Sequence, residues 1–298
     1  MLKMDSLLAF TTIAEAGSIS EAARRLQISK SVASERLADL EEQIGATLMR
    51  RSTRKLALTD DGLAFLDHAR RILRDVSDAT STFSERRGEL AGPLRIAAPV
   101  SFGSLHLAPA LNAFLKQHPR IELSFDLDDR VVDAAGGYDA IVRHGPLPDN
   151  GLIVKRFASS RRRLVASPDY LKKSGTPQSI KDLERHRGII YSYRGASDWR
   201  FRQGGRWMVV RPGSVLRLNN GILMRDAAME GLGIALLPRF ITHGMLAAKK
   251  LRTIDVGMEA ESATIFIAYP NDRRVTAKVL ALTAHLRTAF GRPPYWER

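Results

Sequence analysis

The sequence predicts an α/β protein: an N-terminal, all-α-rich winged helix-turn-helix, then a long linker helix, then a two-lobed α/β domain. Three observations support this. Two short helical patterns within residues 1–58 are separated by only Gln27 and Ile28, a heptad pattern continues from Thr59 to about Arg87, and from Leu94 apolar strands alternate with helices. The 298 residues suffice for about two cores, and 44% hydrophobic with 26% charged residues excludes wholesale disorder. No cysteine is present, which removes disulfides, thiolate zinc sites, iron–sulfur clusters and a catalytic thiol. The first residues, MLKMDSLLAFTTIAEAGS, interrupt their apolar stretch with Asp5 and are not expected to be a signal peptide; no apolar run is long enough for a membrane span.

Leu7, Leu8, Phe10, Ile13 and Ala14 fall on one helical face, and Gly17 ends that helix. Ser20 before EAARRLQ is a candidate N-cap, with Glu21 in the first turn and Ala22, Ala23 and Leu26 facing inward. Ser29 opens the next helix, SKSVASERLADLEEQI, whose apolar stripe is Ala33, Leu37, Leu40 and Ile44. Two short helices joined so tightly, the second opening on small polar residues, form a helix-turn-helix whose second helix can enter a major groove.

After Gly45, apolar runs flank Arg50, Arg51, Ser52, Thr53, Arg54 and Lys55, the pattern of a β-hairpin wing with phosphate-binding cations. Thr59 then caps a helix in which Leu66, Leu73 and Thr80 form one heptad series and Ala69, Val76 and Phe83 the other. An isolated helix cannot bury such a seam. The pattern therefore predicts self-association through Leu66, Ala69, Leu73, Val76 and Phe83.

Between Gly88 and Pro93 the pattern breaks. LRIAA, IELSFDL, DAIVR, RLVAS, GIIYS, GIALLP and TIFIAY read as strands, and LAPALNAFLKQH, MRDAAME, ITHGMLAA and VTAKVLALTAHLRTAF as helices, so largely parallel sheets are expected. The expected organisation is 1–58 for the DNA-binding head, 59–92 for linker helix and hinge, and 93–298 for the two lobes, the first about 93–166 with 269–298 and the second about 167–268.

The segment from Met4 to His68 resembles the winged helix-turn-helix of LysR-type transcriptional regulators, through Phe10, Ala14, Gly17, Ser18, Ala22, Ala23, Leu26, Ser29, Ser34, Leu37, Leu40, Glu41, Gly45, Leu48, Arg51, Leu58, Thr59 and Gly62. PLRIAAP resembles the first strand of that family's effector domain, DAIVRHGPLPDNGLI its third-strand stretch, LVASPDYL the crossing into the second lobe, and GLGIALLPRF a later strand and helix start. The resemblance implies a periplasmic-binding-protein-like effector domain, a small-molecule effector between its lobes, and a dimer of dimers built partly through the linker helix. It further implies double-stranded promoter DNA as partner, RNA polymerase as a candidate partner, and a cytoplasmic, nucleoid-associated location. Ser31 stands where the family often has proline, Glu35 where a basic or polar residue is common, and Met49 where phenylalanine usually packs the wing.

On the second helix Ser29, Lys30, Ser31, Ser34, Glu35 and Arg36 lie outside the apolar stripe. Lys30 and Arg36 suit phosphates or a guanine edge, the serines bases or backbone, and Glu35 a cytosine or the orientation of Arg36. Arg50, Arg51, Arg54 and Lys55 suit phosphates, with a pairing of Arg51 to Glu41 or Glu42 as the structural alternative. Arg24 and Arg25 have a weaker claim, since neighbours on a helix point partly apart.

In two-lobed α/β folds ligands sit beyond the carboxyl ends of strands and on helix N-termini. Val100, Ser101 and Phe102 follow the first strand; Arg143, His144 and Gly145 end another; Tyr191 and Tyr193 follow a third; Asn219 and Asn220 start a helix. Backbone N–H groups, hydroxyls and an arginine favour a small organic anion, such as an aromatic carboxylate. The structural alternatives are N-caps for Ser101 and Asn219, a pairing of Arg143 with Asp128 or Asp129, and core positions for the tyrosines.

An enzyme is not expected. The seven histidines are scattered without metal spacing, HExxH, P-loop and GxSxG motifs are missing, and GLGIAL precedes a strand and lacks the third glycine of a dinucleotide fingerprint; no cofactor or metal is expected. The missing export signal argues against a transport solute-binding protein. Of the net charge of +14, residues 1–60 hold nine Lys+Arg against eight Asp+Glu, and residues 93–298 hold 32 against 18, so the surplus lies outside the expected DNA-reading head.

Overall fold

The computed structural model describes residues 2–51, 56–85, 89–129, 137–145, 151–192, 199–271 and 275–298. These fall into two compact units, one formed mainly by Met1–Leu94 and the other by most of Arg95–Arg298.

In the first unit α1 (Met4–Ala16), α2 (Ile19–Arg25) and α3 (Lys30–Ile44) precede a two-stranded hairpin, β1 (Met49–Arg51) and β2 (Leu56–Leu58), and α4 (Asp60–Glu85). Gly17 ends α1 in the left-handed region as its spacing predicts, and Gln27, at φ 55°, makes the tight turn before α3. The N-cap of α2 is Ser18, whose Oγ accepts from Glu21 N, rather than Ser20; starting two residues earlier brings the buried Ile19 into the helix. Leu8 is exposed rather than inward-facing, because the buried face of α1 runs through Leu7, Phe10 and Ile13. Glu41 pins the hairpin by accepting from Leu48 N at 2.7 Å and Met49 N at 3.0 Å. Thr59 Oγ1 caps α4 by accepting from Gly62 N.

The linker helix corrects one expectation. Leu66 and Ala69 are buried in the same core as Phe10, Leu37 and Leu40, and Leu73 packs against that core, so the first half of the heptad seam is covered within the chain itself. Heptad spacing reports an apolar stripe and not what covers it. Ile72 and Val76, further along α4, are exposed; Phe83 lies in α4, and the surroundings of its side chain lie outside the description.

The second unit holds two five-stranded sheets. The first orders β4 (Ile121–Leu127), β3 (Gly92–Ala98), β5 (Ala140–His144), β15 (Ala263–Pro270) and β6 (Leu152–Ser160); the second orders β11 (Gly213–Leu218), β8 (Arg187–Tyr191), β12 (Ile234–Pro238), β7 (Arg162–Ala166) and β13 (Arg252–Ile254). A small sheet of β10 (Arg206–Val210), β9 (Trp199–Gln203) and β14 (Glu259–Ala260) lies on the second lobe. The principal helices are α5 (Val100–Phe102) running through a π-turn into α6 (Ala108–Gln117), then α7 (Pro168–Ser174), α8 (Ile180–Leu183), α9 (Gly221–Met229), α10 (Arg239–Ala247) and α11 (Ala277–Phe290).

Both large sheets are mixed rather than largely parallel. β3 pairs β5 and β8 pairs both β11 and β12 in parallel, but β15 runs antiparallel to β5 and β6, and β7 antiparallel to β12 and β13. The two strands that cross between lobes must enter against the local direction. They also move the lobe boundaries: β7 buries Leu164, Val165 and Ala166 in the second lobe and β15 returns to the first, so the crossings lie near residues 161 and 262 rather than 166 and 269.

Around these crossings Phe102, Phe240, Phe290 and Trp296 stack edge to face at centroid distances of 5.1–5.9 Å. The final segment fastens here. Trp296 Nε1 donates to Ser159 O, and the buried Glu297 carboxylate accepts from Arg161 N and Nε, each at 2.8 Å.

Candidate nucleic-acid interface and effector cleft

α3 presents the groove-facing set expected of it. Ser29 is the N-cap, accepting from Val32 N, and its Oγ lies 2.8 Å from Ser31 Oγ. Lys30, Ser31 and Glu35 are exposed and Ser34 is half-buried, while Ala33, Leu37 and Leu40 pin the opposite face. Arg36 is engaged: its guanidinium donates to Asp5 of α1 at 2.8 Å, so Asp5 rather than Glu35 orients it. Arg24 and Arg25 both bind Glu21, and the Arg24 hydrogen bond, with that of Arg25, draws the Glu21 pKa down to about 2. Their weak claim on DNA gives way to a local ion-pair fork. Arg50 is exposed on β1 opposite Ala57; Arg51 faces Leu56 in the ladder. Arg54 and Lys55, at the wing tip, lie outside the described residues, as do the surroundings of the Arg51 side chain.

The effector residues separate into those where the two lobes meet and those committed elsewhere. Ser101, from the first lobe, is buried, and a Cβ built on Gly221 at the start of α9 would stand 3.5 Å from its Oγ. Ser101 is therefore a contact between the lobes and not an N-cap: Asp129 caps that turn, accepting from Val100 N at 3.0 Å. Burial raises the Asp129 pKa from its ordinary value. In the second lobe Asn220, not Asn219, caps α9, accepting from Ile222 N and Leu223 N; Asn219 is exposed.

Phe102 is 1% exposed within the aromatic cluster, which makes it core rather than a free ligand contact. Arg143 is likewise buried and donates to Asp128 O at 3.0 Å. Gly145, at φ 91°, donates its N–H to Thr264 O and serves the strand end. His144 Nε2 lies 3.0 Å from Ser160 Oγ, and burial, with Arg162 nearby, pushes its pKa down to about 3. Tyr193 lies outside the described residues.

Two groups at the lobe junction are not among the sequence-derived candidates. His106 bridges Tyr295 Oη at 2.5 Å and Phe240 O at 2.8 Å, and Arg162 opens β7 at the crossing. For Arg162 the available sign was a cation on the face of a strand that otherwise buries Leu164 and Ala166; for His106, which lies within a continuous helix, the sequence offers none.

A wing and helix-turn-helix in one unit, with a two-lobed α/β domain in the other, define a transcription regulator with separate DNA-binding and effector domains. Residues 4–63 match the bacterial regulatory helix-turn-helix family of lysR type, and residues 87–291 match the LysR substrate binding domain. The chain belongs to the LysR-type transcriptional regulators, which are not enzymes. An HTH-type transcriptional regulator of Haemophilus influenzae is 31% identical over 288 residues, spanning 95% of this chain and 99% of its own. PtxR of Pseudomonas aeruginosa is 31% identical over 298 residues, spanning 99% and 95%. The full-length virulence activator AphB of Vibrio cholerae shares the fold at a TM-score of 0.61 and 26% identity, over 96% of this chain and 99% of its own. Among the described residues no helix is long and apolar enough to cross a membrane.

Proposed function

We propose that this regulator reads promoter DNA with Lys30, Ser31, Ser34, Glu35 and Arg36 of α3, holds the flanking phosphates with Arg50 and its wing neighbours Arg51, Arg54 and Lys55, and responds to a small organic anion between the lobes. The observation that supports DNA reading best is the exposed polar face of α3, fixed at its start by Ser29 and at its back by Leu37 and Leu40. Arg36 exchanges Asp5 for DNA on binding, at little cost because Asp5 is 66% exposed.

The effector reading rests on the approach of Ser101 to the start of α9, where the positive end of the helix dipole favours an anion. A ligand bridging the lobes shifts the regulator's equilibrium only by its differential affinity for the two states, typically ~1–3 kcal/mol. The chain self-associates through the exposed part of α4 at Ile72 and Val76, continuing toward Phe83, and forms a tetramer. It works in the cytoplasm at the nucleoid, with RNA polymerase as the partner that reads out promoter occupancy.

A mobility-shift titration of the full chain on the DNA upstream of its own coding sequence tests this. A complex that resists competition by unrelated DNA is expected. Equal competition by every sequence, at all salt concentrations, would overturn the reading.

A further inference from the structure

β10 is an edge of the small sheet on the second lobe: it pairs with β9, and no other described strand pairs with it. Gly204 and Gly205, at φ 54° and 83°, make the tight turn of the β9–β10 hairpin. The ladder sets Trp207 opposite Arg202, Met208 opposite Phe201, Val209 opposite Arg200 and Val210 opposite Trp199. One face is committed, because Trp199, Phe201 and Val210 are buried with Ile180 and Leu183 of α8 in the second-lobe core. By the two-residue period of a strand, Trp207 and Val209 share the other face with Arg200 and Arg202, and there they are 48% and 50% exposed. An antiparallel ladder also leaves every second residue of an edge strand with its N–H and C=O turned away from the sheet. Edges are ordinarily blunted by charge, proline or a bulge, and the run Trp207, Met208 and Val209 carries none of these.

The charge across this face is ordered. Residues 199–217 include Arg200, Arg202, Arg206, Arg211 and Arg217 and neither Asp nor Glu. β14 brings acids to one side of the arginines: Glu261 pairs with Arg200 at 3.2 Å, and Glu259 stands opposite Arg202 in the ladder. On the other side both guanidiniums lie over the Trp207 ring, each 5.8 Å from its centroid, so they lean toward the β10 edge. From β14 to β10 the order is acid, arginine, apolar edge. A strand added beyond β10 with carboxylates on that face would flank the arginines with acid on both sides, and a guanidinium has donors enough for two carboxylates.

We propose that the free edge of β10 is a docking site for an extended acidic segment of another protein, which joins the β10–β9–β14 sheet as a fourth strand. Backbone pairing holds it, its carboxylates meet Arg200 and Arg202 across Trp207, and its alternate apolar side chains lie beside Met208. A nucleic acid fits less well, since Glu259 and Glu261 beside the arginines repel phosphates and a phosphate chain cannot pair with a strand edge. A second copy joined edge to edge would turn the arginines of one chain toward those of the other with no acid between them.

The test is fluorescence anisotropy of the full chain with a labelled short peptide alternating Glu and Val. Its controls are the Lys–Val counterpart and a Glu–Val peptide with its central valines replaced by proline, which keeps the charge and blocks strand pairing. The Glu–Val peptide is expected to bind the wild type at least about tenfold more tightly than either control. Trp207→Ser should weaken it about tenfold and Arg202→Gln about threefold, while Leu280→Ser, at an exposed leucine of α11, leaves it unchanged. Val209→Ser provides the same comparison if the tryptophan variant does not fold. No binding, equal binding of the proline peptide, or binding unchanged in both Trp207→Ser and Arg202→Gln would overturn the proposal. A single-stranded oligonucleotide that displaces the peptide and is itself lost in Trp207→Ser would reassign the edge to nucleic acid. A smaller sedimentation coefficient for Trp207→Ser than for the wild type would reassign it to a second copy, and either reassignment also overturns the proposal.

Discussion

His106 shows how much a single buried residue decides at the lobe junction. A neutral imidazole has one N–H, so with Phe240 O at Nε2 and Tyr295 Oη at Nδ1 the proton sits on Nε2 and the tyrosine donates. Burial pushes the Tyr295 pKa up, which keeps that donor in place, and pushes the His106 pKa down to about 4. The folded value lies below the ordinary 6.5, so the unfolded chain binds the proton more readily. The stabilisation is fully present above about pH 6.5 and is lost as the pH falls toward 4, with about 3 kcal/mol as its upper size. Urea midpoints measured from pH 7 to pH 4 should fall across that window, and His106→Gln should flatten the fall. An equally steep fall in the variant would assign it to other groups, His144 first.

At the scale of elements, legibility followed how local the determinants were. The end of α1 at Gly17, the start of α3 at Ser29 and the cap of α4 at Thr59 depend on residues three or four apart, and those positions were readable. The partner of a face is not local. The heptads of α4 are real, yet Leu66 and Ala69 lie in the helix-turn-helix core of their own chain, where α4 packs on α1. The same limit applies to the cleft: side-chain type marked Asn219 and Asn220 alike, and only backbone geometry shows that Asn220 caps α9 while Asn219 faces solvent. For self-association the consequence is specific. Ile72→Asp places a charge on the exposed stretch of α4 and should lower the oligomeric state in sedimentation velocity, while the helix-turn-helix core stays folded. An unchanged sedimentation coefficient would move the interface off this helix.

Across the whole molecule, the charge distribution separates two jobs that a net charge of +14 conflates. The surplus belongs to residues 93–298, whereas residues 1–60 are nearly balanced. DNA recognition thus depends on where a few cations stand, with Lys30 and Arg50 exposed, Arg36 held by Asp5, and Arg24 with Arg25 spent on Glu21. In the effector domain the positions of cations matter in the same way, since Arg161 is neutralised by Glu297 while Arg162, one residue on, has Glu261 and Tyr191 within electrostatic reach. The division of labour in the DNA-binding head is open to direct measurement by fluorescence anisotropy, titrating the full chain onto its upstream DNA and onto scrambled DNA over a range of salt. Ser34→Ala should narrow the gap between the two DNAs at nearly unchanged salt slope. Arg50→Ala should weaken both alike and flatten the log–log salt slope by about 0.9. Identical behaviour of the two variants, or a wild type that binds both DNAs equally, would contradict a reading helix beside an anchoring wing.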